Sequence, residues 1–122
     1  MDDEKLALTL ETAKAIKPIC VMQRYFVEEF GAYVYLQKLS GLGTIEYEAF
    51  VATTEHANMD ATEKSLHYIA KLLSMCVVDA NGKPLFTPAF FLACESGFVL
   101  RLHKQVRAVT GLDVDTETLE KN

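Results

Sequence analysis

The segment Val77-Val78-Asp79-Ala80-Asn81-Gly82-Lys83-Pro84-Leu85-Phe86 contains the strongest turn signal in the chain. Asn81 and Gly82 tolerate the positive φ of a tight reversal, and the Asp79 carboxylate can accept a hydrogen bond from the backbone two residues on. The apolar pairs at the two ends of the segment predict a short β-hairpin around this turn. The chain is therefore expected to reverse its direction here, and the neighbouring elements are placed by that reversal.

A strongly amphipathic helix precedes the turn. Asp60-Ala61-Thr62-Glu63 has the spacing of a capping box, which predicts the start of this helix. Its apolar face recurs with the helical period and is expected to be buried. The face consists of Leu66, Ile69, Ala70, Leu73, Cys76 and Val77.

Two further helices are predicted after the turn. Thr87-Pro88 is a helix cap with proline at the first helical position, and the short helix is expected to run to about Glu95. Ser96-Gly97 is expected to separate it from a last long helix that Gly111 ends. That helix is predicted to bury Phe98, Leu102, Val106 and Val109 and to expose Arg101, Lys104 and Arg107. The acidic tail from Asp113 to Asn122 can add one or two helical turns.

The stretch from Pro18 to Ser40 is rich in β-branched and aromatic residues. Residues 19–27 and 32–39 are predicted to be strands of a hairpin, because Glu28-Glu29-Phe30-Gly31 lies between them. A helix over residues 20–30 is the alternative, since Val21, Tyr25 and Glu28 also fit a helical period.

Two more helices are predicted in the first half of the chain. Asp2 or Asp3 can cap the first, whose apolar stripe would be Leu6, Leu10, Ala13 and Ile16, and Pro18 ends it near Lys17. Ser40-Gly41-Leu42-Gly43 predicts a loop between secondary-structure elements. Thr44 is expected to cap the second helix after this loop, with Glu46 and Glu48 in its first turn. The predicted buried face of this second helix is Tyr47, Phe50, Val51 and Thr54.

The length and composition of the chain indicate a single globular domain over residues 1–122. The chain is 50% hydrophobic and 24% charged, and 122 residues suffice for one hydrophobic core but not for two. The predicted fold class is mainly α with a small β component (α+β). It comprises about five helices plus one or two short β-hairpins.

The composition also indicates which classes of partner and which cellular compartment to expect. The net charge of −5 disfavours binding to nucleic acid or to an anionic membrane. The apolar runs are far shorter than the ~20 residues of a membrane helix. Met1-Asp2-Asp3-Glu4 has the wrong charge for a secretory signal. An odd set of three widely spaced cysteines indicates reduced thiols, so we expect a cytosolic protein.

Residues with catalytic or metal-binding chemistry are sparse. His56, His67 and His103 are eleven and thirty-six residues apart, which predicts no metal site and no cofactor. A small thiol enzyme using Cys76 or Cys94 with a histidine is the competing hypothesis. However, His67 and Cys76 are nine residues apart on one helix, so they lie on opposite faces and ~13 Å apart along the axis. We therefore expect a protein that is not an enzyme.

Three stretches in a fixed order resemble the tail assembly chaperones of long-tailed siphophages. That family often shows a glycine followed by an extended Val-Tyr-Val-Arg-Glu-Leu-Ser stretch, an acidic helix containing phenylalanine, and a Cys-x-Val-Asp-x-x-Gly-x-x-Leu-Phe turn. The corresponding segments here are Gly31–Ser40, Glu46–Phe50 and Met75–Thr87, and the chain closes with Leu119-Glu120-Lys121-Asn122. Gln37 stands where the family pattern has arginine, which puts any role for that basic position in doubt.

The resemblance implies a non-catalytic protein of tail morphogenesis. Such chaperones coat the hydrophobic, helical tape-measure protein, keep it soluble and help to recruit tail-tube protein around it. They self-associate in the host cytoplasm and are absent from the mature virion. A regulatory adaptor unrelated to phage is a further alternative.

The family also makes a longer form by a −1 ribosomal frameshift. Glu120-Lys121-Asn122 can be encoded GAA-AAA-AAC, which contains the slippery heptamer A-AAA-AAC in the correct phase. The C-terminal residues are therefore compatible with a frameshift site, and equally with an ordinary acidic tail.

Candidate partner-binding residues are aromatic or basic. The aromatic residues could contact the partner through apolar grooves. The basic stripe, formed by Arg101, Lys104 and Arg107, could form a head-to-tail contact with the acidic residues of a second copy, which are Asp113, Asp115, Glu117 and Glu120. The large aromatic residues among them are also candidates for the core. The set is Tyr33, Tyr35, Phe90, Phe91, Arg101, Lys104 and Arg107.

Overall fold

The computed structural model describes residues 6–111 and confirms the predicted class, mainly α with a small β component. In chain order the elements are α1 Leu10–Lys14, β1 Met22–Val27, β2 Ala32–Gln37, α2 Gly41–Glu55, α3 Ala61–Cys76, β3 Val77–Val78, α4 Pro88–Ala93 and α5 Ser96–Thr110. The three strands form one antiparallel sheet in the order β1-β2-β3.

The β1–β2 hairpin confirms the predicted pair of strands, which are shorter than the expected 19–27 and 32–39, and the helical alternative for residues 20–30 is wrong. The strands pair from Met22 opposite Gln37 to Val27 opposite Ala32. A 3-10 turn over Glu28–Phe30 connects them, and Gly31 completes it at φ 62°. The two-residue period prevails because it directs alternate side chains into the core.

The turn after α3 forms as predicted, but its return strand is shorter. The Asp79 carboxylate accepts hydrogen bonds from the backbone N–H groups of Asn81 (2.8 Å) and Lys83 (3.0 Å), and Gly82 has φ +81°. The expected second hairpin is reduced to one bridge between Val78 and Pro84, with the Asp79 N–H donating to the Lys83 carbonyl at 2.9 Å on one side of it and the Leu85 N–H donating to the Val77 carbonyl at 3.4 Å on the other. β3 pairs instead with β2, which the sequence did not indicate.

α3 lies at the centre of the fold. Its N-terminus is capped by Asp60, whose carboxylate accepts the Glu63 N–H at 2.8 Å, as the sequence predicted. The predicted apolar face is buried from Ala70 onward, whereas Leu66, nearer the N-terminus, is 38% exposed. α3 packs against α2, α4 and α5. The buried core includes Val27, Val34, Leu36, Leu72, Leu73, Cys76, Val77, Phe91, Phe98, Val99, Leu102 and Val106.

α4 begins as predicted, with Thr87 as cap and Pro88 in the first turn. Ser96-Gly97, however, is not a separator. The Glu95 carboxylate accepts the N–H groups of Gly97 and Phe98, each at 3.0 Å, so α5 begins at Ser96. Gly111 ends α5 at φ +82°, which confirms the predicted stop. Val109 is half-buried, and the acidic tail lies outside the described residues.

α2 begins four residues earlier than predicted. The Ser40 hydroxyl accepts the Gly43 N–H at 3.0 Å, so Ser40 is the cap and Thr44 lies inside the helix. Glu46 and Glu48 consequently lie beyond the first turn. The expected inward face is confirmed, with Thr54 buried and its other residues half-buried.

α1 differs most from its prediction. Asp2 and Asp3 lie outside the described residues, and Leu6 precedes the helix rather than forming part of it. Thr9 caps α1 through a capping box with Thr12, because its hydroxyl can accept the N–H of that residue. The predicted apolar stripe is exposed, with Leu10 84% accessible. Residues 6–21 are in fact exposed without exception.

Candidate partner-binding surface

The outer face of the β1–β2 hairpin carries exposed aromatic side chains. Alternation directs Val34 and Leu36 into the core and leaves the other face to solvent. Phe26 is 45% exposed and Tyr33 is 55% exposed, which is unusual for side chains of this size. We call this surface the aromatic sheet face; it consists of Arg24, Phe26, Tyr33 and Tyr35.

Three of the four side chains of the aromatic sheet face contact one another. The Phe26 and Tyr33 rings meet edge to face, with centroids 5.1 Å apart and planes at 70°. The Arg24 guanidinium carbon lies 4.3 Å from the Tyr33 ring centroid, a cation–π contact. The Lys38 N–H donates to the Val21 carbonyl at 3.0 Å, so by alternation Phe26 and Tyr33 form a non-hydrogen-bonded pair, in which opposite side chains are closest.

Arg24 and Phe26 were not among the residues selected from the sequence. The signal that could have found them is the strand period itself. Once residues 19–27 and 32–39 are paired around Glu28–Gly31, the register places Phe26 opposite Tyr33 and Arg24 opposite Tyr35. The structure thus brings together two predicted residues with two that the prediction missed.

Phe90 and Phe91 belong to an aromatic cluster around α4. The Phe86 and Phe90 rings stack with centroids 4.2 Å apart, and the Phe90 and Phe91 rings are 5.2 Å apart. Phe91 is 0% exposed, so it is a core residue and not an accessible contact. Its side of α4 faces α3, which explains its burial. Phe90 is half-buried.

One residue of the basic stripe on α5 already has an ion-pair partner in the same chain. Arg101 forms an ion pair with Glu29 of the hairpin turn. This hydrogen bond from Arg101 lowers the pKa of the Glu29 carboxyl below its usual value. Lys104 is exposed, whereas Arg107 is half-buried and has interactions of its own. The acidic residues predicted to meet this stripe, Asp113, Asp115, Glu117 and Glu120, lie outside the described residues.

Two shallow grooves flank Leu39, where β2 leads into α2. The larger, of about 410 Å³, is lined by apolar side chains that include Ile19, Val21, Met75 and Pro84. The smaller, of about 320 Å³, is lined by Tyr47 and Leu72 among others. Both grooves are predominantly apolar, as a site for an apolar segment of a partner requires.

The cysteines differ in exposure. All three are free: Cys20 is exposed, Cys94 is half-buried and Cys76 is buried. Burial raises the pKa of the Cys76 thiol to about 12 and also raises the pKa of Cys94. Cys76 is therefore a neutral thiol at pH 7, the opposite of an activated nucleophile. Among residues 6–111, no three His, Cys, Asp or Glu side chains are grouped as metal ligands.

Within the same described range, none of the helices combines the length and the apolar character that a membrane crossing needs.

Comparison by sequence finds no protein-family model and no curated protein that matches the chain. Comparison by structure finds the tail assembly chaperone of bacteriophage HK97. The two share 19% sequence identity and superpose with a TM-score of 0.53, over 87% of this chain and 94% of that one. The chain therefore has the fold of a phage tail assembly chaperone.

Proposed function

We propose that this protein is a tail assembly chaperone of a long-tailed phage, which binds the tape-measure protein and keeps it soluble while the tail is built. The observation that carries the proposal is the fold shared with the HK97 chaperone over nearly the whole of both chains. The motifs in Gly31–Ser40, Glu46–Phe50 and Met75–Thr87 support it independently, because they resemble the family in sequence and do not depend on the fold.

The aromatic sheet face is the proposed site for the tape-measure protein. A long hydrophobic helix exposes rows of aliphatic side chains, and flat aromatic rings on an extended strand pair offer a large apolar contact area at a small entropic cost. Phe26 and Tyr33 are already ordered by their mutual contact, so less freedom is lost on binding. The groove beside Leu39 offers a second apolar contact.

The remaining roles follow from the family resemblance and are part of the same proposal. The protein self-associates to coat a long partner, helps to recruit tail-tube protein, acts in the host cytoplasm and is absent from the mature virion. A longer form arises by frameshifting at the codons of Glu120-Lys121-Asn122, which sequencing of the gene can test. We assign no catalysis, and the neutral, buried state of Cys76 supports that choice over a thiol enzyme.

A pull-down with a tape-measure protein of a long-tailed phage tests the proposal. We expect the wild-type chain to retain the tape-measure protein and Phe26→Ser/Tyr33→Ser to lose at least about tenfold in affinity. Leu100→Ser is the matched control, since Leu100 is 57% exposed on α5, away from the sheet face. Light scattering on the same samples reports self-association. A chain that stays monomeric and retains no tail component would contradict the proposal.

A further inference from the structure

Residues 6–21, the N-terminal arm, carry a concentration of apolar surface that the rest of the described chain leaves uncovered. Every residue of the arm is exposed. Leu6, Leu8 and Leu10 are 69%, 67% and 84% exposed, and Ile16 and Ile19 are 51% and 86% exposed. The arm nevertheless has defined local structure, because the Thr9 and Thr12 side chains form a capping box at the start of α1. An ordered apolar segment with no buried residue is typical of a surface that a partner covers.

α2 has a second apolar surface on the side away from the core. Its inward face is Tyr47, Phe50, Val51 and Thr54. Leu42, Ile45, Ala49 and Ala52 recur at intervals of three and four residues on roughly the opposite side, and all four are exposed, with Leu42 at 82% and Ile45 at 64%. We call this set the outer stripe of α2. A helix that is apolar on two sides is one that becomes buried on both.

The lengths of the two surfaces agree. The outer stripe extends from Leu42 to Ala52, about 15 Å along the helix. The helix α1, Leu10–Lys14, is about 6 Å long, and the segment from Leu6 to Leu10 adds up to about 13 Å when extended. The arm can therefore cover the whole stripe.

The charges beside the two surfaces are complementary. α2 contains Glu46, Glu48 and Glu55 and no lysine or arginine, whereas the arm contains Lys14 and Lys17 against the single acid Glu11. Lys71 pairs with Glu46 at 3.5 Å. Within residues 6–111, the carboxylates of Glu48 and Glu55 have no such ion pair and are available to the lysines of an arm.

From these observations we propose that the N-terminal arm of one copy of the protein packs on the outer stripe of α2 of a second copy. This inference rests on the self-association in the proposed function and deepens it by naming the two surfaces. Because the arm and the stripe are different surfaces, the contact is heterologous, and each added copy leaves one arm and one stripe free for the next. Such a contact suits an assembly that follows a long rod.

A mixing experiment with two variants tests the inference. Leu10→Asp places a charge in the arm, and Ile45→Asp places one in the outer stripe; both side chains are largely exposed, so the fold is retained. Leu100→Asp is the control for a new surface charge elsewhere. We expect wild type and Leu100→Asp to self-associate, and each of the other two variants to be at least about tenfold weaker by sedimentation equilibrium.

The 1:1 mixture of Leu10→Asp and Ile45→Asp provides the deciding result. One copy supplies an intact arm and the other an intact stripe, so we expect a heterodimer where neither variant alone associates. A mixture that stays monomeric would overturn the inference, as would a monomeric wild type or variants that associate as the wild type does. If the variants associate normally while the tape-measure protein is still bound, the arm contact is refuted and the proposed function stands.

Discussion

The rings of Phe26 and Tyr33 face each other across the β1–β2 hairpin on the solvent side of the sheet, with centroids 5.1 Å apart. The core side of the same strands buries Val27, Val34 and Leu36, and Tyr25 packs against the core beside them. The hairpin therefore has an apolar surface on both sides. One stabilises the fold and the other is available to a partner.

The Phe26–Tyr33 pair should contribute modestly to stability. Cross-strand aromatic pairs are worth about 0.5–1 kcal/mol beyond the area that they bury. A double-mutant cycle of Phe26→Ala and Tyr33→Ala, measured by urea unfolding, should give a coupling free energy in that range. Additive effects of the two substitutions would show that the ring contact is absent in solution.

Gly82 should resist substitution, in contrast to Gly41. Alanine at position 82 would have to adopt φ +81°, and its Cβ would lie 3.2 Å from Gln37 Oε1, so Gly82→Ala should lower the free energy of unfolding by about 1–2 kcal/mol. Gly41→Ala is the matched control: it lies in the first turn of α2, where a Cβ meets nothing within 4 Å, and should be neutral or stabilising by up to about 1 kcal/mol. Equal thermal shifts for the two variants would contradict the structure of the turn.

The three thiols should react in a fixed order. With a disulfide reagent at neutral pH we expect exposed Cys20 to react first and half-buried Cys94 more slowly. Cys76 should react only on unfolding, because its side chain is buried and its pKa is about 12. Cys20→Ser should remove the fast phase alone. Rapid labelling of Cys76 in the native protein would instead revive the hypothesis of a thiol enzyme.

Asp79 should contribute stability that depends on pH. The backbone N–H groups of Lys83 and Asn81 lower the pKa of its carboxyl in the folded protein below the unfolded value of about 3.9. The folded state thus binds the proton less tightly, so the contribution is present above that unfolded pKa and is lost as pH falls through the lower folded pKa. The difference in unfolding free energy between wild type and Asp79→Asn should be largest near pH 7 and shrink towards pH 2. A pH-independent difference would contradict this account.

Elements with a strong local signal were predictable from the sequence. The hairpin, the Asp60 cap of α3, the Asp79 turn and the Gly111 stop each follow from residues close together in the chain. The start of α2 was misplaced because Gly41 and Gly43 read as a break, whereas the Ser40 cap outweighs the low helix propensity of glycine. The capping residue therefore determines where α2 begins, and helix propensity alone places that start wrongly.

What depends on distant contacts was not predictable. The pairing of Val77 with Leu36 joins segments far apart in the chain, and no local pattern specifies it. The burial of Phe91 and the half-exposure of Tyr33 likewise depend on which neighbours cover each ring. The exposure of the apolar stripe in the arm was also not predictable, since periodicity indicates that a face is covered but not whether the same copy covers it.

The solubility of the tape-measure protein, expressed with and without this chain, shows directly whether the chain acts as its chaperone. We predict that the tape-measure protein is found in the pellet alone, and in the supernatant bound to the wild-type chain. Phe26→Ser/Tyr33→Ser should return it to the pellet, and Leu100→Ser should not. A tape-measure protein that stays insoluble with the wild-type chain, or is rescued equally by the sheet-face variant, would contradict the account.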